Sequence, residues 1–141
     1  MTLLCAIALM FALMGNSSHV FQPEEARPKI AGLWRGHSEC VVKNSPCHDE
    51  INVYRFSKIE GRENAFSVTA SKVADGKEVV MGSAECKYDD KRRVLECEKP
   101  AIQWTVDGDK MEGALKLEDG TVYRRIYLKK ESWGARLQAM C

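Results

Sequence analysis

The sequence predicts an all-β fold, an eight-stranded antiparallel up-and-down (meander) barrel, on three observations. Between residues 30 and 130 the chain reads as eight short segments rich in alternating apolar, β-branched and aromatic residues. Turn-forming residues separate each segment from the next. No connection is long enough for a crossover helix, so sequence neighbours must pair antiparallel. Closing such a meander removes both sheet edges and leaves an interior just wide enough for side chains or one small ligand.

The first strand is expected from about Ala31 to Val42, with Gly32, Trp34, Gly36, Ser38 and Cys40 on one face. After the loop 43–48 comes Glu50 to Lys58, where Ile51 and Val53 compete with Tyr54 and Phe56 for the interior, so a bulge or two-sided burial is expected. Phe66 to Ser71 alternates cleanly. Asp75-Gly76 then makes a hairpin turn, because both residues tolerate the positive φ such turns require. The fourth strand, Val79 to Tyr88, puts Val80, Gly82, Ala84, Cys86 and Tyr88 on one side. Val94 to Glu98, Ile102 to Val106, Met111 to Leu117 and Thr121 to Leu128 complete the set, the seventh facing Met111, Gly113, Leu115 and Leu117 inward.

A chain of 141 residues is enough for one such domain. A formal net charge of +1 argues against a binder of nucleic acid, which neutralises phosphates with a strongly basic face. Leu3 to Met14 is apolar but shorter than the roughly 20 residues of a spanning helix, and small polar residues follow at Gly15 to Ser18. Residues 1–18 are therefore expected to be a signal peptide, 19–29 a linker, 30–130 the barrel and 131–141 a tail. No Lys or Arg precedes the apolar run, so a short uncleaved anchor is the alternative. The mature chain is expected to be secreted or periplasmic, without a membrane span, and a monomer.

Cysteine usage agrees with export. Setting aside Cys5 in the leader and Cys141 at the last position, four remain, allowing three pairings. Cys40–Cys47 would close the first loop. Cys86–Cys97 would bridge one hairpin, since the two flank the turn 89–92 symmetrically. A zinc site competes for the same thiols, but no CxxC spacing exists and an oxidising compartment removes the thiolates. No metal or cofactor is expected.

Alternation in the last strand turns Val122, Arg124, Ile126 and Leu128 inward. A buried arginine cannot shed its charge and needs a partner. The ring of Trp34 is the expected one, because first and last strands are neighbours in a closed barrel. Gly32-Leu33-Trp34 with Arg124 resembles the lipocalin and wider calycin pattern, in which a first-strand tryptophan packs under a last-strand arginine. That resemblance implies structural roles for Gly32, Trp34 and Arg124 and a ligand cup, although the family's long first loop has no counterpart here. The stretch from Cys40 to Tyr54 is also similar to exported bacterial proteins of unknown function.

Two functions from different classes follow. In the first, the barrel carries a small hydrophobic molecule against Phe66, Tyr88, Trp104 and Met111, with room left by Gly36, Ser38, Ala70, Gly82, Ala84 and Gly113. In the second, a filled barrel binds another extracytoplasmic protein through rim loops, as inhibitor barrels do, with the loop 43–49 as the contact. Tyr54 and Phe56 facing inward would favour the filled barrel. His48-Asp49-Glu50, with His37, could form a general-base pair, a weak metal site or a haem ligand set. Successive strand residues point to opposite faces, however, so a solvated turn is the simpler reading. No Gly-x-Ser-x-Gly elbow, phosphate loop or HExxH motif occurs, and an enzyme is not expected.

Overall fold

The computed structural model describes residues 29–132. The leader, the linker before Lys29, the tail beyond Ser132 and Cys141 lie outside the described residues. The strands run β1 (Gly32–Cys40), β2 (Glu50–Lys58), β3 (Ala65–Ala74), β4 (Lys77–Asp89), β5 (Val94–Cys97), β6 (Ile102–Asp107), β7 (Lys110–Lys116) and β8 (Val122–Lys130). They form the closed antiparallel meander expected, each strand pairing with its successor and β8 returning to β1. The Asp75-Gly76 hairpin has positive φ at both residues, as that dipeptide predicts.

The core is the barrel interior. Trp34, Tyr54, Phe56, Phe66, Val68, Tyr88, Leu95, Trp104, Val106, Met111, Ile126 and Leu128 pack there as one cluster. The competition in β2 resolves in favour of Tyr54 and Phe56, which point inward, where their rings meet the edge of Trp104 at 5.3 and 5.8 Å. Val53 is buried as well, but on the outer face, opposite Ser71 in register. On that face Arg55 of β2 reaches across β3 to Glu78 of β4 with both guanidinium nitrogens. The hydrogen bonds from Arg55 hold the Glu78 carboxyl down at about 2.

Two expectations about facing and one about strand length are corrected. Met81 is an extra residue where the β3–β4 register shifts between Ala70 and Ser71. That bulge reverses the alternation, so Val80 pairs with outward-facing Ser71 and stands 66% exposed. At the other end of the sequence β7 stops at Lys116, and Leu117 is exposed beyond it rather than inside. The first strand likewise ends at Cys40, leaving Val41 exposed in the loop.

Both cysteine pairings expected are present, Cys40–Cys47 and Cys86–Cys97. The second joins directly opposed residues of β4 and β5 inside the core. β5 has only four residues, so this bond stands where the wall is shortest. Replacing both Cys86 and Cys97 by alanine is expected to lower stability by roughly 2–3 kcal/mol through the released 11-residue separation. Chemical denaturation under non-reducing conditions measures this, and an unchanged midpoint would show that the bond adds no constraint.

Candidate site at the open end of the barrel

The two ends of the barrel differ in chemistry. At one end Trp34 is fully buried and donates its indole N–H to the Ile30 carbonyl at 2.8 Å. The cation over its ring is Lys130, 5.6 Å from the centroid, and not Arg124. Register explains the correction. Trp34 pairs with Lys130, whereas Arg124 pairs with Cys40, six residues further along β8 and at the opposite end. Gly32, with φ of 130°, sits beside the Lys130 side chain at this plugged end.

At the other end lie the loops 41–49, 75–76, 98–101 and 117–121. Here β5 pairs only with Cys86 to Asp89, so Lys77 to Glu85 of β4 has β3 as its one strand neighbour among the described residues. The wall is open on that side. Gly82 faces inward opposite Ala70, and a Cβ placed on it would have no heavy atom within 4 Å. Ala70 and Ala84 line the same inner surface. Small residues leave open space beside Gly82 here, while at the Trp34–Lys130 end a cavity of about 720 Å³ is lined by Lys29, Gly32, Arg55, Phe56, Asp109 and Lys130.

Polar side chains gather above the Tyr54–Trp104 layer. Arg124 points inward, 12% exposed, and donates from Nη1 to Ser38 Oγ at 2.9 Å and to the His48 carbonyl at 3.0 Å. The loop pinned by Cys40–Cys47 therefore grips Arg124 through its backbone. Glu50, 11% exposed, lies 3.5 Å from Arg124, 3.7 Å from Lys72 and 3.8 Å from the His48 ring. Those are ion-pair distances but longer than good hydrogen bonds. Asn52 faces inward between Gly36 and Lys72 in register. It is 2% exposed and its Oδ1 has no hydrogen-bond partner. A buried polar atom without a partner is uncommon enough to require a reason.

Tyr54 forms the floor of this polar layer. Burial pushes its hydroxyl up to about 12, with Arg124 opposing and Glu50 adding to the shift. Because the folded value lies above the ordinary 10.0, stability is retained below pH 10 and falls as the pH rises toward 12. The expected loss attributable to Tyr54 is roughly 2 kcal/mol by pH 12. Alkaline denaturation of Tyr54→Phe beside the parent measures it; identical decay in both proteins would place the hydroxyl in water.

The four residues expected to hold a ligand belong to the packed cluster. Trp104 and Met111 have no exposure, and Phe66 and Tyr88 very little. Phe66 and Tyr88 lie toward the plugged half, remote in register from Arg124, while Trp104 reaches the floor of the open end through Tyr54. The His48 ring stays within 3.8 Å of Glu50, while Asp49 turns elsewhere. Asp49 accepts the Cys40 N–H at 2.9 Å, the His48 ring stays in solvent, and Glu50 turns inward. His37 stacks on Tyr127 on the outer surface. Among the described residues no group of three His, Cys, Asp or Glu side chains is placed to hold a metal ion.

Sequence reasoning missed Asn52, Lys72 and the inward turn of Glu50. One signal was visible: alternation from Tyr54 and Phe56 carries Asn52 onto an otherwise apolar face.

Comparison with protein-family models, with curated proteins and with solved structures finds no match. The class is defined by architecture instead: a closed eight-stranded meander barrel, consistent with a lipocalin-like fold. It carries two disulfides, which fit an oxidising environment. No helix among the described residues is long and apolar enough to cross a membrane.

Proposed function

We propose that this protein is an exported, secreted or periplasmic, lipocalin-like barrel that binds a small, largely hydrophobic molecule, entering at the open end. The observation that carries this reading is the open space at inward-facing Gly82, on an inner surface that also bears the buried Asn52 Oδ1 without a hydrogen-bond partner. Trp104 serves as the floor of this site, and Phe66, Tyr88 and Met111 hold that floor in place. We infer binding rather than catalysis: the His48 ring is 74% exposed and stands 3.8 Å from Glu50, beyond hydrogen-bond length, and Asp49 is taken up by the Cys40 N–H.

A second reading, a filled barrel that binds another protein through its rim, has its own support: Tyr54 and Phe56 face inward onto Trp104, the arrangement expected of a filled barrel. Val41, Ile51, Val79, Val80, Met81 and Leu117 are exposed large apolar residues at this same end, and such residues suit a protein interface. The loop 41–49, constrained by its disulfide, would lose little entropy on docking.

Native mass spectrometry of the full chain, exported to an oxidising compartment, separates the two. A small adduct released by mild denaturation and absent from Gly82→Phe is the expected result. A clean parent mass together with a co-purifying protein would turn the assignment to the rim.

A further inference from the structure

At the Trp34–Lys130 end of the barrel, and independently of the reading at the open end, we propose that Lys130 is a nucleophilic amine that captures a small aldehyde as an imine. The cavity of about 720 Å³ at this end is the place for the reaction. Lys130 stands on its wall, and Ala31, Leu33 and Phe56 supply apolar surface for the body of the ligand. A volume in this range is that of an ordinary small-molecule site.

The Lys130 side chain is held in place. A Cβ built on Gly32 would come within 3.0 Å of Lys130 Cε, so the stem lies along a glycine whose φ of 130° other residues rarely adopt. Nζ donates to the Lys29 carbonyl and stands 5.6 Å from the centroid of the Trp34 ring. What the ammonium lacks is a counter-ion. Of the acids on the cavity wall, Glu131 is taken up by Arg35 at 2.7 Å, and Asp109 lies 4.0 Å from Lys129. Arg55, on the same wall, is engaged by Glu78. The charge that Lys130 feels is that of Lys29, which repels it, and burial adds to the effect, so its ammonium lies below the ordinary 10.5.

A lysine that is partly desolvated and faced by another cation is the usual setting of an amine nucleophile. The hydrogen bond to Lys29 does not oppose this, because a neutral amine donates to the same carbonyl and still carries its lone pair. That pair adds to the carbonyl carbon of the aldehyde. Both N–H protons pass to the carbonyl oxygen, which departs as one water as the C=N bond forms. An aldehyde is the ligand class that needs nothing from the site beyond this amine: no leaving group, oxidant or reductant enters the balance.

Reductive labelling of the disulfide-intact full chain with benzaldehyde tests the assignment, the aldehyde being supplied in less than molar equivalence and cyanoborohydride fixing each imine as a secondary amine. Peptide mass mapping is expected to find the benzyl group on Lys130 about fivefold or more ahead of any other amine of the chain. In urea that preference should vanish. Lys130→Arg, which keeps a cation over Trp34, should remove the dominant adduct. Ser57→Trp places a large side chain at an exposed position on the cavity wall and should cut labelling of Lys130 severalfold while the other lysines react as before. This second variant carries the test if Lys130→Arg proves unfolded by circular dichroism. Labelling spread evenly over the lysines, no adduct at all, a preference for Lys130 that survives urea, or one untouched by Ser57→Trp overturns the assignment.

Discussion

Trp104→Ala is expected to lower the unfolding free energy by about 4 kcal/mol, the cost of deleting a large buried ring from a site that cannot collapse. The indole has no exposure and meets Tyr54 and Phe56 edge-on. Its other side lies against the backbone of Gly113, where a Cβ would come within 2.5 Å of indole Cδ1 and 2.2 Å of the Gln103 carbonyl. β7 is therefore already as close as it can approach, and no neighbouring side chain is free to fill the space. The indole N–H has no hydrogen-bond partner, so the loss is one of packing alone. Urea denaturation monitored by circular dichroism gives the number, provided the slope matches the parent. A loss below about 1 kcal/mol would mean that the ring is not enclosed as described.

The strand pattern was readable because it depends on local chemistry. Glu50 to Lys58 has the expected bounds, Asp75-Gly76 turns where that dipeptide must, Cys86 and Cys97 stand opposite each other in one hairpin, and Cys40–Cys47 closes the loop after the first strand. Height along the barrel is a different kind of quantity. Period-two alternation says that Trp34 and Arg124 both point inward, and they do. It cannot say at which level, because stagger between strands is set by closure of the whole ring. The eighth strand runs on to Lys130, two residues beyond its expected end, and this puts Lys130 rather than Arg124 beside Trp34. A single extra residue at Met81 had a similar effect on Val80, since one insertion exchanges the two faces from there onward.

The candidate site was harder to see for the same reason. Ser38, Glu50, Asn52, Lys72 and Arg124 come from four strands, and only register makes them one layer. His48, Asp49 and Glu50 stood out because they are adjacent in sequence, yet adjacency in an extended chain separates side chains. The backbone of His48 accepts the hydrogen bond from Arg124, and its solvent-exposed ring stands 3.8 Å from Glu50. Binding residues in a barrel are thus more visible as polar exceptions on an inward face than as local clusters.

Gly36→Ala is the second large effect expected, at least about 3 kcal/mol of destabilisation, the upper range for forcing a methyl into a packed interior. An added Cβ would stand 1.7 Å from the Tyr127 carbonyl oxygen, 2.8 Å from its carbon and 2.9 Å from Leu128 Cα. All three are backbone atoms, so no change of rotamer relieves the contact; β1 and β8 must separate. These are the strands whose pairing closes the ring and sets Trp34 against Lys130. Gly82→Ala supplies the comparison, because its Cβ would enter empty space at the open end and should change stability by no more than about 0.5 kcal/mol. Both glycines face inward in a strand and differ only in what lies ahead of them, so chain entropy largely cancels between the two variants. Equal unfolding midpoints for Gly36→Ala and Gly82→Ala would mean that β1 and β8 do not approach as closely as described. The expected wide separation would tie the close approach of β1 and β8 at Gly36 to closure of the barrel.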